Sequence, residues 1–206
     1  MTAPTLEFWY EFASTYSYPA AMRVEEVAAA AGVGVAWRPF LLGPLFYEQQ
    51  GLRDSPFNVV PVKGEYMWRD LARICDAQGL PLERPSAFPR NSLLAARLAM
   101  VGATQGWIAP FSRAVYDANF ARDADIADAA VLRPLLAEAG ADPDAAFEAA
   151  GSEPVKAALK AHVADAAARG LFGAPSFLTP DGELFWGNDR LEQAVAWAAR
   201  AGSEAA

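Results

Sequence analysis

An apolar, aromatic run that turns directly into a helix constrains this chain more than any other stretch. Phe8-Trp9-Tyr10-Glu11-Phe12 has strand character and breaks at Ala13-Ser14-Thr15; Tyr16-Ser17-Tyr18-Pro19-Ala20-Ala21-Met22-Arg23-Val24-Glu25-Glu26-Val27 then reads as a helix. At such a junction the backbone N–H groups and the positive end of the helix dipole face outward, toward any bound anion. Ser14 and Ser17 sit there as Ser-x-x-Ser, the spacing at which a redox enzyme carries two cysteines.

Taken in order, Leu6 to Tyr10 is nearly continuous in apolar residues, as a strand buried on both faces would be. The helix that follows runs from Tyr16 to Ala31 and stops at Gly32; Val33 to Pro39 returns as a strand. That βαβ unit implies parallel strands. Leu41 to Asn58 reads as loop-rich, punctuated by Gly43-Pro44, Gly51 and Pro56. Lys63 to Gln78 is a helix with Met67, Leu71, Ile74 and Cys75 on one stripe. Pro81 to Pro89 is irregular, and Asn91-Ser92 opens a helix that reaches Gly102. Further helices are expected over about 107–120 and 126–139, and Pro143 and Pro154 each occupy a first helical position.

Strand character returns only near the end, where Ser176–Thr179 and Glu183–Trp186 flank the turn Pro180-Asp181-Gly182; a helix over Arg190–Ala199 follows. The order is βαβ, a long helical stretch, then ββα. The expected fold is α/β: a discontinuous thioredoxin-like domain from residues 1–40 and 171–206, interrupted by an all-helical domain over 41–170.

Composition narrows the function classes. With 206 residues, 53% apolar and 20% charged, the chain is globular rather than disordered. A net charge of −8 argues against nucleic acid or an anionic membrane as partner. Met1-Thr2-Ala3-Pro4-Thr5 has no basic segment followed by an apolar run, so no signal peptide is expected, and no window is long enough to span a bilayer. The single cysteine, Cys75, excludes an internal disulfide and a Cys-x-x-Cys centre; with one histidine, it also argues against a zinc site. A reducing cytoplasm is the expected compartment.

Two later motifs join the junction. In Phe172-Gly173-Ala174-Pro175-Ser176-Phe177 a proline precedes a strand, where a thioredoxin-like fold places a cis X-Pro bond. The N–H and C=O of Ala174 would then be free to pair with an extended peptide. In Trp186-Gly187-Asn188-Asp189-Arg190-Leu191, Asn188 or Asp189 caps the last helix, and the same helix start suits a ligand carboxylate, with Asp189 for a nearby ammonium.

Together with Ser14-Thr15-Tyr16-Ser17-Tyr18 and Pro61-Val62-Lys63-Gly64-Glu65-Tyr66, these motifs resemble the 2-hydroxychromene-2-carboxylate isomerases. Those are relatives of the kappa-class glutathione transferases, in the DsbA-like branch of thioredoxin folds. The resemblance covers nearly the whole chain. It implies a glutathione site in which Ser14 hydrogen-bonds the sulfur and, with the helix N-terminus, favours the thiolate. Ala174, ahead of Pro175, would pair with the cysteinyl backbone; Asn188 and Asp189 would hold the γ-glutamyl end; Lys63 and Asn58 would face the glycyl carboxylate. It further implies an isomerase of aromatic degradation, in which the thiolate adds reversibly to a conjugated enone, and a homodimer. The alternatives are a kappa-type transferase and a non-catalytic thioredoxin-like peptide binder. Lys63 with Asp189 separates the last from the enzymes, because a scaffold has no reason to match both ends of a free tripeptide. Two departures stand out. Thr15 occupies a position where the family carries Pro, and Gly51 to Asn58 does not follow the isomerase pattern.

Other chemistry-bearing residues read as structural. Cys75 lies on an apolar stripe and His162 on an Ala-rich helix without a partner pattern; Asp123, Asp125 and Asp128 read as helix-start acids. Glu7 and Glu11 flank the first strand as a carboxylate pair whose facing the sequence does not fix. Trp9, Tyr18, Phe40 and Phe46 are candidates to wall a pocket, though most aromatics in so aromatic a chain must lie in the core.

Overall fold

The computed structural model describes residues 3–204; Met1, Thr2, Ala205 and Ala206, which the expected outer domain includes, lie outside the described residues. Four strands form one mixed sheet: β1 (Thr5–Tyr10), β2 (Gly34–Pro39), β3 (Ser176–Leu178) and β4 (Leu184–Trp186), in the order β2-β1-β3-β4. β1 pairs parallel with β2 and antiparallel with β3, and β3 pairs antiparallel with β4. The two ends of the chain thus meet in register, with Phe8 opposite both Trp37 and Phe177.

The continuous apolarity of β1 has its reason here. Leu6, Phe8 and Tyr10 enter the main core with α1 (Ser17–Ala30) and α10 (Leu191–Glu204), while Trp9 faces the other way onto Phe40, Leu45 and Ala166. Phe8 stacks on Tyr10 and Phe177 at ring-centroid distances of 5.2 and 5.5 Å. The main core runs without a break from the sheet into the intervening helices, reaching Phe111, Leu132 and Ala146.

Between β2 and β3 lie α2 (Leu42–Gln50), α3 (Pro56–Val59), α4 (Pro61–Gln78), α5 (Leu93–Gln105), α6 (Ile108–Phe120), α7 (Ala129–Glu138), α8 (Pro143–Gly151) and α9 (Glu153–Ala168). The stretch expected as loop-rich over Leu41–Asn58 is therefore corrected: it holds α2 and most of α3. Pro44 lies in the first turn of α2, where an amide would have no helical partner anyway, and Gly51 closes that helix at φ 67°. Pro56 opens α3 behind Ser55, whose hydroxyl accepts from the Phe57 N–H. Residues read as breaks are helix ends.

Candidate functional site

A largely apolar cavity of about 1220 Å³ opens between the strand–helix junction, α2 to α4, the segment before α5, and the loop entering β3. Its inner wall is the junction itself: Glu11, Ala13, Ser14 and Thr15. After Tyr10 leaves β1, the chain turns as the Ser14 N–H donates to the Glu11 carbonyl at 3.0 Å, and the Ser17 N–H to the Ser14 carbonyl at 3.2 Å. α1 starts there, so Ser14 stands at its head.

The Ser14 hydroxyl donates to the Ala174 carbonyl at 2.8 Å, joining residues 160 positions apart. The Ala174–Pro175 bond is cis, as expected, and Ala174 lines the cavity beside Gly173. In this arrangement the Ala174 carbonyl has a partner, where the sequence left it free. A second cis bond, Phe88–Pro89, also lines the cavity.

Glu11 is the titratable group the sequence undervalued. Only 7% exposed, it accepts from the Ser92 hydroxyl and from the Ala13 N–H. Burial pushes its carboxyl up to about 7, against both hydrogen bonds, which favour the charged form. Glu7 does not join it: its carboxylate accepts from Trp9, Arg38 and Arg169 on the other face of the sheet. Ser92 occupies the N-cap position of α5, but its hydroxyl goes to Glu11. Arg90, 8% exposed, also lines the cavity and is held by Asp123 and by Asn119 Oδ1 at 3.0 Å. Asp123 is thus an arginine partner rather than a helix-start acid, whereas Asp128 does cap α7.

At the mouth, Lys63 and Arg53 line the opening with exposed Tyr47, Val62 and Tyr66. Lys63 sits in the first turn of α4, where the helix dipole disfavours a cation. Tyr16 donates to Asp70 at 3.0 Å; burial and that carboxylate hold its hydroxyl well above the usual range.

Of the residues expected to bind, Ser14, Lys63 and Ala174 line the cavity, and Asn58, Pro175, Asn188 and Asp189 do not. The Asn58 amide donates to Asp54 and to the Phe88 carbonyl at 2.9 Å. Asn188 is buried, and its backbone and side-chain oxygens accept from Arg23. Asp189 lies exposed behind Gly187, a cavity-lining residue at φ 113° whose added Cβ would come within 2.5 Å of Asp189 Oδ1. Trp9, Tyr18 and Phe40 belong to the core; Phe46 reaches the cavity. Cys75 is buried with its thiol pushed up to about 11, and His162 contacts the Pro39 carbonyl at 3.3 Å. Among the described residues no group of three or more His, Cys, Asp or Glu is placed to hold a metal ion, and no helix is long and apolar enough to cross a membrane.

The family model for the DSBA-like thioredoxin domain matches residues 5–196. A 2-hydroxychromene-2-carboxylate isomerase from Sphingobium xenophagum is 30% identical over 188 residues, 91% of this chain and 94% of the relative. A solved 2-hydroxychromene-2-carboxylate isomerase superposes with a TM-score of 0.84 at 22% identity, covering 98% of this chain and 99% of the other. Cytosolic disulfide reductase DsbM from Pseudomonas aeruginosa shares the fold with a TM-score of 0.64 at 23% identity, covering 97% of this chain and 98% of its own.

Proposed function

The chain belongs to the DSBA-like thioredoxin family and, within it, groups with the 2-hydroxychromene-2-carboxylate isomerases, and on that premise we propose that it is a glutathione-dependent isomerase acting on a conjugated aromatic enone such as 2-hydroxychromene-2-carboxylate. The observation that carries the proposal is the contact of the Ser14 hydroxyl with the Ala174 carbonyl at the wall of a mostly apolar cavity. A serine at this position can donate to a sulfur but cannot form a disulfide with it, and Cys75 is buried elsewhere. That favours a site that keeps a thiolate over one that exchanges disulfides.

Three of the residues expected for glutathione, Ser14, Lys63 and Ala174, line the cavity and support this reading. On binding, the Ser14 hydroxyl would turn from the Ala174 carbonyl to the sulfur, which frees Ala174 to pair with the extended tripeptide backbone; Lys63 at the mouth would meet a carboxylate, and Asp189, next to the cavity-lining Gly187, an ammonium. A structure of DsbM with GSH is among those sharing this fold. When bound, glutathione supplies a thiolate nucleophile that adds to the enone and leaves again. The chain's part is to lower the cost of that thiolate through the Ser14 hydroxyl and the head of α1, and to keep water from a planar ligand with Phe46, Phe57 and Leu42. The same proposal takes the protein as a homodimer working in a reducing cytoplasm.

The test is calorimetric titration with reduced glutathione for the wild type, Ser14→Ala and Asp189→Ala, beside turnover of 2-hydroxychromene-2-carboxylate with and without glutathione. Saturable binding weakened by Asp189→Ala, thiolate absorbance lost in Ser14→Ala, and glutathione-dependent turnover are expected. Absence of binding at about millimolar glutathione, where even a weak site of about 4 kcal/mol would register, overturns the proposal and brings the peptide-binding scaffold forward.

A further inference from the structure

We propose that Glu11 is the proton-handling group of this site, giving a proton to the conjugated ligand when the carbon–sulfur bond forms and taking it back when that bond breaks. The inference rests on the isomerase reading and adds a residue that reading does not use. Three observations carry it. Glu11 is only 7% exposed, yet it lines the cavity with Ala13, Ser14 and Ser92. Its carboxyl is fixed from two sides, by the Ser92 hydroxyl and by the Ala13 N–H. Among the described residues no cation pairs with it: Arg90, on the same wall, is held by Asp123 and Asn119. A buried carboxyl without a counter-cation favours its protonated form, in keeping with its titration near neutrality.

The surrounding groups leave this proton to Glu11. Tyr116 donates its hydroxyl to the Glu11 backbone carbonyl at 2.9 Å, and Tyr10 is bonded to Ser112 at 2.7 Å; burial holds both phenols far above the working range. Lys63 and Arg53 face the cavity from the mouth, and Tyr16 is bonded to Asp70. His162 contacts Pro39 on the other side of the sheet.

The step balances. As the sulfur's electron pair forms the carbon–sulfur bond, the ligand's π electrons move onto its carbonyl oxygen and the Glu11 O–H bond breaks in favour of an O–H bond there. After rotation about the new single bond, Glu11 carboxylate recovers the proton, the π electrons return and the carbon–sulfur bond breaks. No oxidant or co-reactant is consumed.

The experiment compares wild type, Glu11→Gln and Glu11→Asp by turnover of 2-hydroxychromene-2-carboxylate with reduced glutathione across pH, by calorimetric glutathione binding, and by the infrared carboxyl band with and without S-methylglutathione. For Glu11→Gln we expect kcat lower by about 100-fold, glutathione affinity within about twofold, and loss of the pH–rate limb near neutrality. Glu11→Asp, the variant of choice should Glu11→Gln not fold, should retain part of the rate with the limb displaced. In the wild type the carboxyl band should move when S-methylglutathione fills the cavity. Unchanged kcat and limb in either variant, or a band indifferent to the filled cavity, overturn the role of Glu11 alone. A wild type without glutathione-dependent turnover overturns the isomerase reading and this role with it.

Discussion

The cavity has two unlike sides. The junction wall is built from residues that the core already holds: Thr15 and Glu11 are 2% and 7% exposed, Thr15 donates to the Met67 sulfur at 3.0 Å, and Ser14, Ser92 and Ala13 are tied through Glu11 into one hydrogen-bonded patch. The rim formed by α2, α3 and the start of α4 presents large apolar surface, with Tyr47, Val62 and Tyr66 at 57%, 75% and 62% exposure. A site that must hold one reacting atom needs the first kind of surface, because a misplaced donor loses most of its effect. A site that admits different ligand bodies needs the second. On the proposed function the wall is the place for chemistry and the rim for selection, and substitutions on each should separate the two.

The largest effect expected at the wall is on stability. A buried carboxyl raised from about 4.5 to about 7 binds more protons in the folded than in the unfolded state between those values, so stability falls as pH rises through that window. Below about 4.5 the two states bind alike, and above about 7 the penalty is complete. Glu11→Gln removes it, and by the size of the shift it should gain about 3 kcal/mol on the wild type at about pH 8 relative to about pH 4. Denaturant unfolding at the two pH values checks this. Equal pH slopes for the two proteins would mean that the Glu11 carboxyl stays ionised through the window.

Next comes Ser14→Ala. A hydrogen bond to a charged partner contributes about 1.5–3 kcal/mol, so losing the hydroxyl should raise the pKa of bound glutathione by one to two units and lower turnover about 10- to 100-fold near neutral pH. The Ser14–Ala174 bond is also lost, at about 1 kcal/mol of stability. Thiolate absorbance against pH reads the first and thermal unfolding the second. A rate loss without a thiol shift would assign Ser14 to positioning.

On the rim, Gly64→Ala is the sharper probe. An added Cβ would lie 2.3 Å from the Phe57 carbonyl oxygen, a backbone atom, so α3 has to move away from α4. Overpacking of this kind costs about 1–3 kcal/mol, and the displaced Phe57 should raise KM for the aromatic ligand severalfold while leaving bound-thiol acidity as it is. If thiol acidity moves too, wall and rim are one mechanical unit.

The two sides also differ in how far the sequence revealed them. The sheet was legible because its signals are local: an aromatic run, a Gly-stopped helix, a Pro-Asp-Gly turn that closes as β3 and β4. The helices of the rim were hidden because Gly43-Pro44, Gly51 and Pro56 break chains and begin or end helices with equal ease. The wall was half visible. Ser14 announced itself at a strand–helix junction, but the Glu11–Ser92 contact spans 81 residues and no periodicity encodes it. Ser92 marked the start of α5 correctly, but nothing local told that its hydroxyl goes to Glu11 instead of to the helix amides.

The smallest expected effects belong to the two cations of the mouth, and they test selection most directly. Arg53 lies 5.8 Å over the Tyr47 ring, and neither Arg53 nor Lys63 is ion-paired among the described residues. Asp54 lines the same opening, but its carboxylate accepts from the Ser55 N–H and the Asn58 amide. The mouth thus offers two uncommitted positive charges to an anionic ligand. Both are exposed, so each should matter modestly: Lys63→Ala or Arg53→Ala raises KM about three- to fivefold at low salt with kcat unchanged. Screening shortens to about 3 Å at 1 M salt, and there the difference from the wild type should vanish. Lys63→Ala should act on glutathione and Arg53→Ala on the carboxylate of the aromatic ligand, because Arg53 sits in the segment that departs from the isomerase pattern. Paired KM measurements decide this: equal effects on both ligands would mean a shared electrostatic funnel, and opposite selectivity would exchange the two roles.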